Sequence, residues 1–225
     1  MTGAPAIQAI ISDWGGVLTS PLLGSFNRFQ ERADIPLESL GAAMRRITER
    51  NGENPLFPME RGEVSEAEFL AAIGAEIEAD LGRAVPMATF AEHFFAGLEV
   101  NTPMVECLAR AKAERGMRLA LLTNNVREWE PRWRAMLPAE PDELFDVVVD
   151  SSRVALRKPD PRIYALTLAR LGLPAEVCVF VDDLEPNIAA AAAMGLRTVW
   201  FQDTEQAIAE LDAALQLSQP SRSQR

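Results

Sequence analysis

The sequence is poor in the residues that mark several common classes of protein. It has two cysteines and one histidine among 225 residues. Cys107 and Cys178 form no C-x-x-C pattern, which excludes a zinc knuckle or a redox pair. Both have apolar neighbours, so we predict small buried side chains. No apolar run approaches the roughly 18 residues that a membrane span needs, and the run from Ala189 to Ala193 is typical of a helix interior.

Positive charge is also scarce. The chain carries 33 acidic and 22 basic residues, for a net charge of −11. Nucleic acids are bound by clustered lysine and arginine, and no basic stripe is present, so we expect no nucleic-acid partner. The N-terminal run MTGAPAIQ has neither the positive segment nor the apolar stretch of a secretory signal. We therefore expect a cytoplasmic protein with reduced thiols and no membrane partner; the sequence specifies no oligomeric state.

The sequence does contain a regular alternation of strand and helix. Short apolar, β-prone runs predict strands at residues 6–12, 118–122, 146–149, 177–181 and 197–201. Helical patterns lie between most of them, one of them with Asp160 as N-cap and Pro161 at its first helical position. Such alternation predicts an α/β fold with a Rossmann-like, doubly wound parallel sheet and right-handed crossovers.

Residues 21–97 interrupt this alternation. Strand signals fade there, and helical patterns separated by proline and glycine dominate. One of these helices is predicted to begin after Ser65, which is a good N-cap residue. We therefore predict an inserted α-helical cap domain at 21–97, between two parts of a core at 1–20 and 98–217. The polar tail at 218–225 is predicted to be disordered.

Four short segments carry the polar residues that point to chemistry. They are Asp13 in ISDWGGVLT, Thr123 in LLTNN, Lys158 in RKPDP, and the pair Asp182-Asp183 in VFVDD. Three of the four follow a predicted strand. Ligands of open α/β sheets bind beyond the carboxyl ends of the strands, so these side chains are expected to share one crevice.

The residue types in this crevice suit phosphate and a divalent cation. Two adjacent carboxylates at a buried strand end raise each other's pKa unless a hard cation is present. Magnesium, which prefers oxygen ligands, is the natural partner of Asp182 and Asp183. The Thr123 hydroxyl and free N–H groups at its turn can hold phosphate oxygens, and Lys158 can direct its ammonium at the same phosphate.

Each segment also fits a simpler explanation. Asp13 could cap a turn, Thr123 could be a turn residue, Lys158 could be a solvated surface side chain, and Asp182-Asp183 could form a solvated acidic turn. The occurrence of all four segments in one chain favours a functional site over these separate explanations.

The same motifs, in this order, resemble the haloacid dehalogenase superfamily of aspartate-nucleophile hydrolases. The resemblance covers nearly the whole chain, and the insert resembles the α-helical cap of subfamily I. The segments TNN, RKPDPRIY and FVDDLEPNIAAAAAMG are most similar to the phosphatase domain at the N-terminus of soluble epoxide hydrolases. This resemblance implies a Mg²⁺-dependent hydrolase that acts on a small phosphorylated substrate.

The resemblance also implies a role for each motif residue. Asp13 would be the nucleophile that forms an aspartyl-phosphate. Thr123 and the Asn124 amide would bind phosphoryl oxygens, and Lys158 would offset the charge of nucleophile and phosphate. Asp183 would be a direct magnesium ligand.

Three further residues are expected to complete the site. Asp13 would share the magnesium ion with Asp183, and Asp182 would lie close behind Asp183 as a further metal-site residue or would orient Lys158. The backbone carbonyl of Gly15 would be a further metal ligand, and the ring of Trp14 is a candidate wall of the substrate site.

One position departs from the family's pattern. Phosphatases of this family usually have a second Asp two residues after the nucleophile as general acid/base, and here that residue is Gly15. General acid–base help is worth typically ~10²–10⁴-fold. Asp182, Glu60, His93 or the substrate itself are candidate proton donors, although His93 is expected to be a partly buried residue near the cap hinge.

Two rival functions stay open. The first is a metal-free 2-haloacid dehalogenase, which would also lack the second Asp, although retention of Asp182-Asp183 argues for magnesium and phosphate. The second is a catalytically weak phosphate-binding or regulatory protein, which the glycine at position 15 favours.

Overall fold

The computed structural model describes residues 5–137 and 141–216. Five strands form its sheet: β1 (Ala9–Ser12), β2 (Arg118–Thr123), β3 (Val147–Asp150), β4 (Cys178–Asp182) and β5 (Arg197–Trp200). The first five helices are α1 (Leu22–Arg32), α2 (Leu37–Asn51), α3 (Leu56–Glu60), α4 (Glu66–Leu81) and α5 (Phe90–Phe95). The others are α6 (Thr102–Arg115), α7 (Glu130–Met136), α8 (Pro141–Leu144), α9 (Ser151–Val154), α10 (Pro161–Leu171), α11 (Glu185–Ala193) and α12 (Thr204–Gln216).

All strand pairs in the sheet are parallel, and the strand order is β3-β2-β1-β4-β5. The predicted α/β, Rossmann-like fold class is confirmed. The first strand begins at Ala9, three residues later than predicted, and the last ends at Trp200. Thr123, Asp150 and Asp182 are the final residues of their strands, because a polar side chain does not prevent the backbone from pairing with the next strand.

The sheet is covered on both faces by helices. Successive strand residues point to opposite faces, and the two faces bury separate hydrophobic clusters, one with Ile10 and Leu121 and the other with Ile11 and Phe180. Both faces are therefore apolar, as expected for a parallel sheet. The polar strand ends are left as the place where a ligand can bind.

Helices α1–α5 form the insert between β1 and β2, as predicted. They bury a third hydrophobic cluster that includes Phe29, Ile73 and Phe90. Ser65 caps α4 as predicted, within a capping box: its side chain accepts from the Glu68 N–H, and the Glu68 carboxylate accepts from the Ser65 N–H at 2.9 Å. The domain limits at residues 20/21 and 97/98 stay a prediction.

The chain enters and leaves the insert through paired backbone. Thr19 and Val100 form an isolated antiparallel bridge, and the Ser20 N–H donates to the Glu99 carbonyl at 2.8 Å. The helix after the insert, α6, begins at Thr102, because the Asn101 side chain caps it. The insert is thereby held beside the end of β1.

Several smaller expectations have mixed outcomes. Cys107 and Cys178 are free and buried, as predicted. The segment after β2 forms a short 3-10 turn and α7, and the four-residue helices α8 and α9 were not predicted. The predicted disordered tail at 218–225 lies outside the described residues. Within the described ranges, no helix has the length and apolar character that crossing a membrane requires.

Candidate active site

The motif residues meet where β1, β2 and β4 end. Asp13 directly follows β1, and its N–H donates to the Val181 carbonyl of β4 at 2.9 Å. Asp182 ends β4, and Asp183 follows it. Lys158 lies in the loop between α9 and α10. Adjacent parallel strands thus bring residues more than 160 positions apart in sequence into one site.

Lys158 is the centre of this site. Its ammonium nitrogen lies 2.7 Å from Oδ1 of Asp13 and 2.7 Å from Oδ2 of Asp182. The side chain is 1% exposed, so the alternative of a solvated surface lysine is wrong. Burial alone would lower the pKa of Lys158, but the two carboxylates outweigh it and the pKa is raised. Lys158 therefore stays protonated between its two partners.

Asn124 holds the backbone of Lys158 in place. Its side-chain oxygen accepts from the Lys158 N–H at 2.8 Å, and its side-chain nitrogen donates to the Lys158 carbonyl at 3.1 Å. This paired contact links the end of β2 to the lysine loop. The Asn124 side chain is therefore a support for Lys158, which the sequence did not indicate.

Asp13 is a buried carboxylate in a crowded electrostatic environment. Its Oδ1 accepts from the Trp14 N–H at 2.7 Å as well as from Lys158. Burial raises the pKa of Asp13 to about 7; Lys158 opposes this effect, whereas the charges of Asp182 and Asp183 add to it. No hydrogen bond within the described chain reaches Oδ2, which leaves that oxygen for a ligand.

Asp182 is saturated by protein donors. It is fully buried, and its Oδ1 accepts from the Leu184 N–H at 2.8 Å and from the Asn187 side chain at 2.9 Å. Its Oδ2 accepts from Lys158 and, at 3.1 Å, from Asn187. Asp182 therefore fixes Lys158, and it has less capacity than Asp183 to bind an ion.

Asp183 faces the cavity and completes an acidic cluster. Burial, together with the charge of Asp182, raises its pKa to about 6. Carboxylate oxygens of Asp13, Asp182 and Asp183 all lie within 4.8 Å of one another. Like charges at this separation are costly, and a set of hard oxygen donors fits Mg²⁺. The residues present thus fit the magnesium ion expected from the sequence.

The turn after Asp13 is built around two glycines. Gly16 has a φ of +81°, and a Cβ there would overlap the Asp183 carboxylate. The residue must therefore be glycine for Asp183 to lie this close to β1. At Gly15 the situation differs, because a Cβ would meet Cδ1 of Leu22 at 2.9 Å. A cap side chain thus occupies the space into which a side chain at position 15 would point.

Thr123 and Trp14 are both more buried than a simple binding role would require. Thr123 is 1% exposed at the end of β2, opposite Asp150 of β3. Trp14 is 4% exposed and packs against Trp133, with ring centroids 5.8 Å apart. Trp14 nevertheless lines the cavity above the site, so it belongs to both the core and the wall.

A cavity of about 330 Å³ lies between the sheet edge and the insert. Its polar floor includes Asp13, Asn124, Lys158 and Asp183. Most of the remaining wall is apolar and comes from both the insert and the core: Trp14, Leu22, Leu23, Phe94, Phe95, Leu98, Trp129, Trp133 and Leu184. The arrangement places a charged reaction centre at the bottom of a largely apolar chamber.

One charged pair in the wall was not predicted from the sequence as a pair. Arg157 Nε lies 2.6 Å from the Glu60 carboxylate, and its guanidinium lies over the Phe57 ring, 3.7 Å from the centroid. Arg157 directly precedes Lys158, which was the available signal. His93, by contrast, lies 3.3 Å from Arg32 through its Nδ1 and is not among the residues that line the cavity.

The fold places Asp13, in contact with Lys158, in a crevice beyond the carboxyl ends of the strands. A family model described as haloacid dehalogenase-like hydrolase matches residues 7–195. The chain belongs to this family.

Relatives with assigned names agree with this family. The chain is 29% identical over 218 residues to acyl-CoA dehydrogenase family member 10 of Mus musculus, covering 95% of this chain and 20% of that protein. It is 27% identical to bifunctional epoxide hydrolase 2 of Sus scrofa, covering 92% of this chain and 38% of that protein. It is 29% identical to phosphatase MT3486 of Mycobacterium tuberculosis, covering 85% and 86%. The chain thus spans well under half of the first two relatives.

Solved structures have the same fold. The L-2-haloacid dehalogenase RSc1362 superposes with a TM-score of 0.70 at 20% identity, covering 94% of this chain and 99% of that one. The enzyme bt-2542 of Bacteroides thetaiotaomicron, in complex with magnesium and inorganic phosphate, superposes with a TM-score of 0.63 at 19% identity, covering 86% and 93%. At these identities the likeness concerns the fold alone.

Proposed function

We propose that the chain is a magnesium-dependent phosphatase of small phosphorylated metabolites that works through an aspartyl-phosphate on Asp13. The observation that carries the proposal is the clamp of Lys158 between Asp13 and Asp182, with Asp183 beside them. Such a cluster is poorly suited to a structural role, since it buries two carboxylates against one ammonium and places a third, partly buried carboxylate beside them. A divalent cation would offset this excess of negative charge and, together with Lys158, would let the site hold an anionic phosphoryl group.

In the proposed reaction the Asp13 carboxylate attacks phosphorus. A bond forms between the carboxylate oxygen and phosphorus while the bond from phosphorus to the leaving-group oxygen breaks, and that oxygen takes up a proton. Water then attacks phosphorus, the phosphorus–Asp13 bond breaks, and inorganic phosphate and the free carboxylate result. Two easier steps thus replace one difficult displacement.

The other site residues have supporting roles in this proposal. Lys158 offsets the charge of Asp13 and of the bound phosphoryl group, and Asn124 holds the Lys158 backbone. Thr123 and the Asn124 N–H are proposed to bind phosphoryl oxygens. Preorganised donors of this kind supply much of the catalysis in phosphoryl transfer.

Asp13, Asp183 and the Gly15 carbonyl would hold the magnesium ion, with Asp182 behind them. When bound, magnesium supplies positive charge that stabilises the transferring phosphoryl group.

The cavity supports a small substrate. Its volume of about 330 Å³ lies at the low end of the range for small-molecule sites. Relatives named as phosphatases, including phosphatase MT3486, favour a phosphoric monoester over a haloacid. The free, buried cysteines Cys107 and Cys178 are compatible with the reducing cytoplasm in which we expect the protein to act.

The test is a screen of phosphorylated metabolites for phosphate release, with and without Mg²⁺. We expect release that requires Mg²⁺ and disappears in Asp13→Asn. The control is Asp80→Asn, which changes a cap carboxylate that is 46% exposed and pairs with Arg46; it should retain activity. Absence of release from every phosphomonoester, or equal release by Asp13→Asn, would contradict the proposal.

A second candidate function is 2-haloacid dehalogenation, because a dehalogenase shares the fold. The same Asp13 would then displace a halide from carbon and need no metal. Chloride release from a 2-chloroacid in the presence of EDTA would favour this reaction. Phosphate release that EDTA abolishes, with no chloride release, would exclude it.

A further inference from the structure

The proposed reaction needs a proton at the leaving-group oxygen, and the chain lacks the usual donor. Gly15 offers no side chain, and the space next to it is filled by Leu22 of α1, whose Cδ1 would lie 2.9 Å from a Cβ at that position. A proton donor must therefore come from elsewhere around the cavity.

Three of the other acidic or basic groups are unsuitable. Asp182 is fully buried, and both of its oxygens already accept hydrogen bonds from Lys158, Leu184 or Asn187. His93 pairs with Arg32 and is not among the residues of the cavity wall. Asp183 belongs to the proposed metal ligands.

Glu60 is placed differently from these groups. It is the last residue of α3, and it lines the same cavity as Asp13, Lys158 and Asp183. Its carbonyl accepts a hydrogen bond from the Ser151 hydroxyl at 2.6 Å, which ties the end of α3 to the core. The side chain is 19% exposed, so it can contact a molecule in the cavity.

The carboxylate of Glu60 is oriented by a single arginine. Arg157 Nε donates to its Oε2 at 2.6 Å, and the Arg157 guanidinium is itself held over the Phe57 ring. No other hydrogen bond from a residue within 5–137 or 141–216 reaches this carboxylate. Oε1 is therefore available to a ligand while Oε2 fixes the side chain.

The environment favours the protonated form of this group more than water does. Burial raises the pKa of Glu60, while the charges of Arg157, Lys158 and Arg61 act against burial without cancelling it. A carboxylic acid with a raised pKa is the usual solution for proton donation near neutral pH.

The in-line geometry of phosphoryl transfer also places the leaving-group oxygen on the side of the insert. Phosphoryl transfer proceeds with the attacking and leaving oxygens roughly in line. Because Asp13 attacks from the sheet edge, the leaving-group oxygen lies on the side away from the sheet, where the insert encloses the cavity. Glu60 is the acidic residue that the insert contributes to the cavity wall.

We propose that the Glu60 carboxyl donates a proton to the leaving-group oxygen while Asp13 bonds to phosphorus, and that it takes a proton from the water that later hydrolyses the aspartyl-phosphate. This assignment rests on the proposed phosphatase function. The proton and charge balance across the two steps, so Glu60 returns to its starting form without a co-reactant. The cap thus supplies the group that position 15 lacks.

The test is the dependence of kcat/KM on the leaving group in Glu60→Gln. This constant reports the steps up to formation of the aspartyl-phosphate. An alkyl phosphate needs its leaving oxygen protonated, whereas 2,4-dinitrophenyl phosphate does not. We expect kcat/KM to fall about 10²-fold or more for the alkyl ester and to change little for the dinitrophenyl ester. Equal losses for both esters would overturn the assignment and identify Glu60 as a structural contact.

A control variant and the wild-type rates distinguish failure of the Glu60 assignment from failure of the proposed phosphatase function. Glu63→Gln changes a nearby cap carboxylate that is 50% exposed and pairs with Arg61, and it should leave both rates unchanged. If wild type releases phosphate from neither ester in Mg²⁺, the proposed function itself fails. If wild type is active and Glu60→Gln shows no dependence on the leaving group, only the assignment of Glu60 fails.

Arg157→Met gives a second test that retains the Glu60 carboxyl. Besides Arg157, the charges of Lys158 and Arg61 act on Glu60, and Asp13 and Asp183 line the same cavity. Removal of Arg157 takes away the main positive charge, so the alkaline limb of kcat/KM for the alkyl ester should move to higher pH. A limb at its wild-type position would show that another group provides the proton.

Discussion

Lys158 carries a positive charge in the interior of the protein with 1% of its side chain exposed. An unpaired buried ammonium would be very costly, and two carboxylates at 2.7 Å offset that cost. Lys158 in turn offsets the cost of burying the negative charges of Asp13 and Asp182, which are themselves buried. Removal of Lys158 therefore leaves two buried carboxylates without their counter-charge.

We predict that Lys158→Met lowers the free energy of unfolding by about 3–5 kcal/mol, the usual cost of breaking a buried ion pair from one side. Urea denaturation without added metal measures it. The control is Lys112→Met, because Lys112 is 33% exposed and pairs with Asp146 at 3.2 Å, where a smaller loss is expected. Equal effects of the two substitutions would contradict the role of Lys158 as a buried counter-charge.

The raised pKa of Asp183 makes the free energy of unfolding depend on pH. Its pKa is raised from the ordinary range of an aspartate to about 6, chiefly by burial. The folded protein then holds this proton more tightly than the unfolded chain does. Its contribution to stability is present below about pH 4 and is lost as the pH rises through about 6.

Without metal, Asp183→Asn should therefore melt higher than wild type at pH 8, and the difference should shrink toward pH 5. Each kcal/mol corresponds to about 2–4 °C for a chain of this size. Addition of Mg²⁺ at pH 8 should raise the melting temperature of wild type but not of Asp183→Asn. A pH-independent difference, or equal stabilisation of both proteins by Mg²⁺, would refute this account of Asp183.

At the scale of elements, strand ends place the chemistry and turns determine its spacing. Short β-prone runs were enough to predict all five strands and the polar residues at the ends of β1, β2 and β4, since buried parallel strands have a strong sequence pattern. Gly15 and Gly16, which follow Asp13, indicate a sharp turn after β1 but not what the turn approaches. That Gly16 leaves room for Asp183 depends on a contact across about 170 residues, which a local pattern does not contain.

Gly16→Ala tests this turn. Gly16 and Gly52 have φ values of +81° and +79°, but a Cβ at Gly16 would overlap the Asp183 carboxylate, whereas a Cβ at Gly52 meets no heavy atom within 4 Å. Gly52→Ala should therefore show only the backbone cost of about 1–2 kcal/mol. Gly16→Ala should lose more stability in urea and should also weaken Mg²⁺ binding in titration calorimetry. Equal losses and unchanged Mg²⁺ affinity would argue against the close approach.

At the scale of the whole molecule, the insert and the core are joined by polar contacts around one cavity. Trp129 Nε1 donates to Glu66 at 2.8 Å, Ser151 binds the Glu60 carbonyl, and a Cβ on Gly62 would overlap the Ser152 carbonyl oxygen. These contacts hold the insert over Asp13. They show how a helical cap can shape the substrate space without contributing to the sheet.

Some of the residues around the cavity could be predicted from the sequence, and others could not. Asp13 and the Asp182-Asp183 pair could be predicted because strand ends of a parallel sheet converge by topology. Lys158 could be predicted from its position just before the capped start of α10. The partner of Arg157 could not, because the packing of the insert on the core is not encoded in any periodic pattern. Glu60 was one of several candidates until the structure placed it in the cavity wall and placed His93 elsewhere.

The most direct test of the central claim is the binding of beryllium fluoride, a mimic of a phosphoryl group on a carboxylate. A crystal structure with Mg²⁺ and beryllium fluoride should show beryllium bonded to Asp13 and the metal between Asp13 and Asp183. A well-ordered crystal grown under these conditions with no beryllium on Asp13 and no metal between the two carboxylates would contradict the account.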